Sequence, residues 1–144
     1  MTNIKLSMDE MQLIATFERI TGAAAVDVVR DDQGNRLIFV VRQKQLGRAI
    51  GRGGEKVKAA ADAFGRQVDV VEMAETAEDF VKSALAPARV EKIKISENRE
   101  GNLIAYVTVK KEDRGIAIGQ GGRNVARARI LVRRHFELEN VMIA

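Results

Sequence analysis

Apolar and polar positions follow an order that occurs twice along the chain. In each half, apolar residues recur at helical spacing, then in two short runs rich in Val, Ile and Phe, then at helical spacing again, and last in one more short run. This order predicts helix, strand, strand, short helix, turn, helix and strand in each half. In the first half we predict a helix over 8–20, strands over 25–30 and 37–42, a short helix over 44–50, a helix over 55–64 and a strand over 68–72. In the second half we predict a helix over 77–85, strands over 90–96 and 103–109, a short helix over 112–118, a helix over 123–136 and a strand over 138–143.

Capping and turn residues mark the ends of these elements. Ser7 and Glu10 have the spacing of a capping box, and Gly22 is placed to end the first helix. Hairpin turns are expected at 31–35 and 97–102. We therefore predict an α+β fold in which each half forms a three-stranded sheet packed against helices, with domains spanning 1–74 and 75–144.

A glycine-rich stretch stands before the long helix of each half. The copies run from Leu46 to Val57 and from Arg114 to Val125, at an offset of 68 residues, and together they hold eight of the 12 glycines. Glycine is favoured where the backbone needs a positive φ or a close approach. Each stretch leads into a helix N-terminus, where unpaired N–H groups and the helix dipole favour an anion. No acidic residue stands at the four positions inside these turns, which are Arg52, Gly53, Gln120 and Gly121.

Positive charge is concentrated around the same two stretches. The chain has 144 residues and a net charge of +4, yet residues 42–66 alone carry +5 and residues 110–134 carry +6. A basic surface beside turns that suit phosphate indicates a nucleic-acid partner. The alternative is that both helices only carry solvated basic faces. Aromatic residues make up 4% of the chain, so stacking of bases on aromatic rings is not expected to be its main means of binding.

Composition also limits the other classes of function. The chain has no cysteine, which excludes disulfides and thiolate metal sites, and no metal or cofactor is expected. No apolar run approaches the length of a membrane span and no secretory pattern opens the chain, so we expect a cytoplasmic protein without a membrane partner.

The two glycine turns resemble the Ile-Gly-x-x-Gly loop of KH domains. The residues that carry the resemblance are Ile50-Gly51-Arg52-Gly53-Gly54 and Ile118-Gly119-Gln120-Gly121-Gly122. The order of elements is similar to that of type II KH domains, and two of them in tandem resemble the NusA-like family. The short archaeal form is the better match, since the sequence leaves no room for the further domains of the bacterial form. The resemblance implies a monomer that binds single-stranded RNA in transcription termination or antitermination, with RNA polymerase or a transcription complex as a further candidate partner.

The resemblance also implies a set of RNA-binding residues. The turns would clamp the RNA backbone, with Gly51, Arg52, Gly53 and Gly54 in the first clamp and Gly119, Gln120, Gly121 and Gly122 in the second. Ile50 and Ile118 would line the groove that holds the bases. Gln120 replaces a basic residue common at its place, so the second clamp would hold phosphate more by backbone than by charge. The candidates for phosphate contact are Arg48, Lys56 and Lys58 in the first half and Arg114, Arg123 and Arg127 in the second.

Other functions remain open at this point. A P-loop enzyme needs a Lys and a Ser or Thr after the last glycine, whereas Gly54 precedes Glu55 and Gly122 precedes Arg123, so we expect no enzyme. The glycines could instead serve tight turns in a scaffold that binds protein. A KH module of translation or RNA processing is a further alternative. His135, the only histidine, is expected to pack or cap a helix end rather than to catalyse.

Overall fold

The computed structural model describes residues 4–32 and 35–144, and within them the predicted order of elements is present twice. The first copy consists of α1 (Met8–Thr21), β1 (Ala25–Asp31), β2 (Arg36–Val41), α2 (Leu46–Ile50), α3 (Glu55–Phe64) and β3 (Gln67–Glu72). The second consists of α4 (Ala77–Leu85), β4 (Val90–Glu97), β5 (Leu103–Val109), α5 (Arg114–Ile118), α6 (Arg123–Phe136) and β6 (Asn140–Ile143). Short 3₁₀ turns lie at Arg52–Gly54, Lys111–Asp113 and Gln120–Gly122.

The chain folds into two compact units, one formed by Lys5–Met73 and the other containing Ala74–Ala144. Each unit contains one three-stranded sheet, in the orders β1-β2-β3 and β4-β5-β6. In both sheets the central strand is antiparallel to the strand before it and parallel to the strand after it. The prediction of an α+β fold with a helix-packed sheet in each half is therefore confirmed.

The core of the first unit is formed by α1 and α3 against the sheet. The Ser7 and Glu10 capping box begins α1, and Gly22 ends it in the left-handed conformation. Phe17 of α1 stacks on Phe39 of β2 with ring centroids 4.1 Å apart, and Phe39 lies 5.7 Å from Phe64 of α3. These rings hold the helix that follows the first glycine turn against the sheet.

In the second unit, α6 packs against α4. The ring of Phe80 in α4 lies 5.4 Å from that of His135 and 5.3 Å from that of Phe136. His135 is buried, so the prediction that it packs is confirmed. Other buried residues of α6 include Val125, Ala128, Leu131 and Val132.

Three predicted bounds were wrong by a few residues. The short helix expected from residue 44 begins at Leu46, because Lys44 has a φ of +70° outside the helix. Likewise, α5 begins at Arg114 and the residues before it form a 3₁₀ turn. The last strand begins at Asn140, since Glu137 has a φ of +58° and the N–H of Leu138 still bonds the Val132 carbonyl of α6. Of the predicted turn at 31–35, Gln33 and Gly34 lie outside the described residues.

Candidate nucleic-acid interface

The two glycine turns have nearly the same backbone conformation. The first glycine has φ and ψ of 76° and 173° at Gly51 and of 79° and 166° at Gly119. The third residue of the turn has φ and ψ of 64° and 18° at Gly53 and of 65° and 17° at Gly121. Since the flanking residues differ in charge and size, the shared conformation follows from the glycines themselves.

The first glycine of each turn is required by close packing. A Cβ on Gly119 would lie 2.8 Å from the backbone nitrogen of Asn124, and one on Gly51 would lie 2.5 Å from Cγ of Lys56. Real Cβ atoms do not approach other atoms so closely. These glycines therefore let the start of the following helix fold back against the turn.

The tips of the turns are open. A Cβ on Gly53 or Gly121 would meet no atom within 4 Å, and the tip residues Arg52, Gly53, Gln120 and Gly121 are exposed. Packing therefore does not explain the glycine at the tip. An open tip lets a ligand come close to the main chain without a side chain in between.

The helices after the turns begin without a side-chain cap. The residues at the N-cap positions of α3 and α6 are Gly54 and Gly122, which make no side-chain cap bond. The first N–H of each helix, at Glu55 and Arg123, donates instead to the carbonyl of Arg52 or Gln120 in the 3₁₀ turn before it. The positive end of the helix dipole still makes both positions favourable for an anion.

Five cationic side chains surround the turns with no carboxylate partner. All five are exposed, and within residues 4–32 and 35–144 none of them forms an ion pair. Their charge is therefore available to a ligand. They are Arg48, Arg52, Lys56, Lys58 and Arg114. Arg123 is half-buried at the start of α6 and has interactions within the chain.

Arg127 does not lie with these cations. It is buried in the second unit, where its Nε and Nη2 donate hydrogen bonds of 3.3 and 3.0 Å to the Ala84 carbonyl. A guanidinium held inside the unit is not placed to contact phosphate, so we leave Arg127 out of the proposed contacts.

An exposed apolar surface lies beside each turn. Ile50 at the end of α2 is 37% exposed, Ile118 is half-buried, and Ile116 of α5 is 45% exposed. Sequence reasoning singled out the first two and missed Ile116. The helices around the turns pack against β3 and β6, each of which pairs with only one strand in the described part of the chain. Exposed isoleucines beside an unpaired sheet edge are suited to hold splayed bases.

Asp113 lies directly before α5, the helix that leads to the second turn, and is hydrogen-bonded to Arg89. Its Oδ2 accepts hydrogen bonds from the backbone N–H of Arg89 at 2.8 Å and from its Nε at 2.7 Å. These two bonds lower the pKa of Asp113 from 3.8 to about 2, and the side-chain bond has the larger effect. In the first unit Gln45 stands 68 residues earlier and accepts from the N–H of Ala24 at 3.3 Å. Sequence reasoning did not identify this equivalent pair.

The described residues form neither a membrane-spanning helix nor a cluster of metal ligands. No helix among them is long and apolar enough to cross a membrane. The same residues contain no group of three His, Cys, Asp or Glu side chains that could hold a metal ion.

The chain matches known protein families, named relatives and a solved structure. The family model described as "KH domain" matches residues 13–100, and the one described as "NusA-like second KH domain" matches residues 77–143. The "Probable transcription termination protein NusA" of Halobacterium salinarum is 44% identical over 140 residues, which cover 97% of this chain and 98% of the relative. The protein of the same name from Halococcus morrhuae is 40% identical over 141 residues, or 98% and 99% of the two chains. The crystal structure of APE1850 matches with a TM-score of 0.85 and 37% identity, covering 96% of this chain and 100% of that one.

Proposed function

Because the chain belongs to the NusA-like family of KH-domain proteins, we propose that it binds single-stranded RNA through its two glycine turns and acts in transcription termination or antitermination. One observation carries the proposal. Two turns with the same backbone have open tips, helix starts without a side-chain cap and exposed cations beside them.

In the proposed complex, each turn holds the sugar-phosphate backbone. Phosphate oxygens accept from main-chain N–H groups at the turn, and the nearby cations add attraction that does not depend on sequence. The first turn has Arg52 at its tip and Lys56 in the next helix, where the second has Gln120 and Asn124. We infer that the first clamp binds phosphate with more charge and the second with more main-chain contact.

The proposed groove favours a single strand over a duplex. Bases must turn away from each other to lie along Ile50 or Ile118, and a duplex would first have to open. Contacts to the 2′-OH would distinguish RNA from DNA in such a groove.

The role in transcription rests on the relatives. Two of them, nearly equal in length to this chain, carry the name probable transcription termination protein. Membership in this family agrees with the prediction of a binding protein rather than an enzyme. We propose that the chain acts in the cytoplasm as a monomer on nascent transcripts, with RNA polymerase or its transcription complex as a partner.

Binding of a labelled single-stranded RNA by charge-reversed variants tests the clamps. Arg52→Asp with Gly53→Asp places two carboxylates at the first tip, where the glycine site is open and Asp tolerates a positive φ. Gln120→Asp with Gly121→Asp does the same at the second. Each variant should weaken binding at least tenfold while its thermal unfolding stays cooperative.

A matched control makes the same change in charge elsewhere. Arg30→Asp with Gln12→Asp alters two exposed residues of the first unit outside the turns and lowers the net charge by the same amount as the first clamp variant. Equal loss of binding in control and clamp variants would show a general charge effect and would reject the clamps.

A further inference from the structure

The second sheet has an exposed face that the glycine turns do not use. In β5, Ala105, Val107 and Val109 are buried, whereas Tyr106 is 42% exposed and Thr108 is also exposed. Side chains alternate between the two faces of a strand, so these two residues lie on the outer face, which is covered only at the buried Ile104 near the start of the strand. The first sheet offers no such face at its centre, because all six residues of β2 are buried.

Strand register places other side chains on the same face. Tyr106 is paired with Lys94 of β4 on one side and with Met142 of β6 on the other, and Thr108 is paired with Lys92. Directly opposed residues share a face and have Cβ atoms about 4.5–5.5 Å apart. Lys92 and Lys94 are exposed, and Met142 is 48% exposed.

The paired outward positions of this face carry positive charge. No Asp or Glu stands at the outward positions from Lys92 to Ser96 of β4, in β5 or in β6, and within residues 4–32 and 35–144 neither lysine forms an ion pair. The exposed Glu91 lies at the register shift before Lys92 and has no partner in this pairing. The occupant of this face should therefore bring negative charge together with a flat apolar group for the tyrosine ring. A nucleotide has both, because its phosphate is anionic and its base stacks on aromatic rings.

We propose that this face is a second RNA surface, on which a base stacks on Tyr106 while neighbouring phosphates lie against Lys92 and Lys94. The inference rests on the proposed function, since the same strand would occupy the second clamp. Helix α5, which ends at that clamp, packs against β6, and β6 is an edge strand of this sheet. A strand leaving the clamp can pass around this edge to the outer face. One stacking ring would thus supplement binding that is carried mainly by the main chain.

The chain provides its own probe for this site. Tyr106 is the only tyrosine and there is no tryptophan, so labelling with ring-¹³C tyrosine gives signals from this site alone. We expect single-stranded RNA of roughly 16 nucleotides, the upper end of the range for single-strand binding sites on OB folds, to shift these signals upfield by ring stacking when it is titrated into the full chain. RNA of about four nucleotides, the length one KH turn clamps, should move them much less.

Substitutions give the second arm of the test. Tyr106→Ala should weaken binding of the long RNA roughly 5- to 150-fold and leave the short RNA nearly unchanged, whereas Tyr106→Phe should bind like the parent. Lys92→Gln with Lys94→Gln should weaken the long RNA and reduce its salt dependence. Met11→Ala, at an exposed residue outside this sheet, is the control for Tyr106→Ala. Lys5→Gln with Lys82→Gln removes the same two charges at exposed positions outside this sheet and is the control for the lysines.

Each outcome decides the proposal. The second surface would be rejected, and the clamps left intact, if long RNA bound without moving the tyrosine signals and Tyr106→Ala bound it as tightly as the parent. Failure of the parent to bind RNA of any length would reject the proposed function and this surface together. Tyrosine signals that respond to an acidic peptide carrying apolar residues, but not to RNA, would assign the face to a protein.

Discussion

The side-chain amide of Asn124 donates a 2.7 Å hydrogen bond to the backbone carbonyl of Ile116 and so ties the start of α6 to α5 across the second glycine turn. The first turn has Lys56 at the corresponding position, whose side chain forms no such bond among the described residues. Two turns with the same backbone are therefore held in different ways.

Asn124→Ala should destabilise the second unit by about 1 kcal/mol, the usual value of one hydrogen bond. Hydrogen exchange of the Gly121 amide should become faster, because the turn loses its tie to α5. Lys56→Ala is the control at the equivalent place in the first unit and should change the free energy of unfolding by less. Equal effects on stability in a urea titration would show that the Asn124 bond has no particular role.

The first and third glycines of a turn should respond differently to a methyl group. Gly119→Ala puts a Cβ 2.8 Å from the Asn124 nitrogen at a φ of +79° and should cost roughly 2–5 kcal/mol. Gly121→Ala meets open space at a φ of +65° and should cost only about 1–2 kcal/mol. Denaturant unfolding of both variants measures the difference, and a more damaging Gly121→Ala would contradict the assigned roles.

The salt dependence of RNA binding should follow the charge at the tips. Each phosphate contact on a single strand contributes about −0.7 to the slope of log K against log salt. Arg52→Gln should make the slope shallower by about that amount, and Gln120→Arg should make it steeper by a similar amount. Fluorescence anisotropy at several salt concentrations gives the slopes. If neither substitution changes the slope, the tips do not contact phosphate.

Asp113 should make the second unit sensitive to acid. Hydrogen bonds from Arg89 depress the pKa of Asp113 to about 2 in the folded chain, against 3.8 for an ordinary Asp. Because its pKa is lower in the folded chain, ionised Asp113 stabilises the fold, and this stabilisation is complete above the ordinary Asp pKa of 3.8. The stabilisation is lost as the pH falls from about 4 through 2.

Asp113→Asn keeps an acceptor for the Arg89 N–H but removes the charge. Above about pH 4 the parent should therefore be more stable than the variant, and the difference should shrink as the pH falls toward 2. Urea midpoints of both proteins across this range provide the measurement. A difference that is constant with pH would mean that the carboxylate charge does not stabilise the fold.

Local patterns predicted the repeated fold because each element carries its own signal. The apolar spacing of Ile14 and Phe17, the Ser7 cap and the glycine at position 22 act within one helix. The two glycine turns could also be found from the sequence, since their pattern repeats at a fixed offset. The errors at Lys44 and Leu138 lie at helix ends, where one residue with positive φ decides the boundary.

Contacts between distant residues could not be predicted in the same way. Arg36 is buried with its guanidinium 2.7 Å from Asp31 and 3.0 Å from Asp69, which joins three strands, yet no local pattern pairs these residues. Arg127 stands among other arginines of α6, and only the packing of α4 against α6 shows that it bonds Ala84. The exposure of Tyr106 likewise depends on which face of its sheet is covered.

The most direct test of the central claim is an NMR titration of the glycine-labelled full chain with single-stranded RNA. We predict that the amide signals of Gly53 and Gly121 shift saturably, whereas that of Gly65, at the far end of α3, stays in place. Signals of both Gly53 and Gly121 that remain unmoved at saturating RNA would contradict the assignment of these turns as RNA clamps.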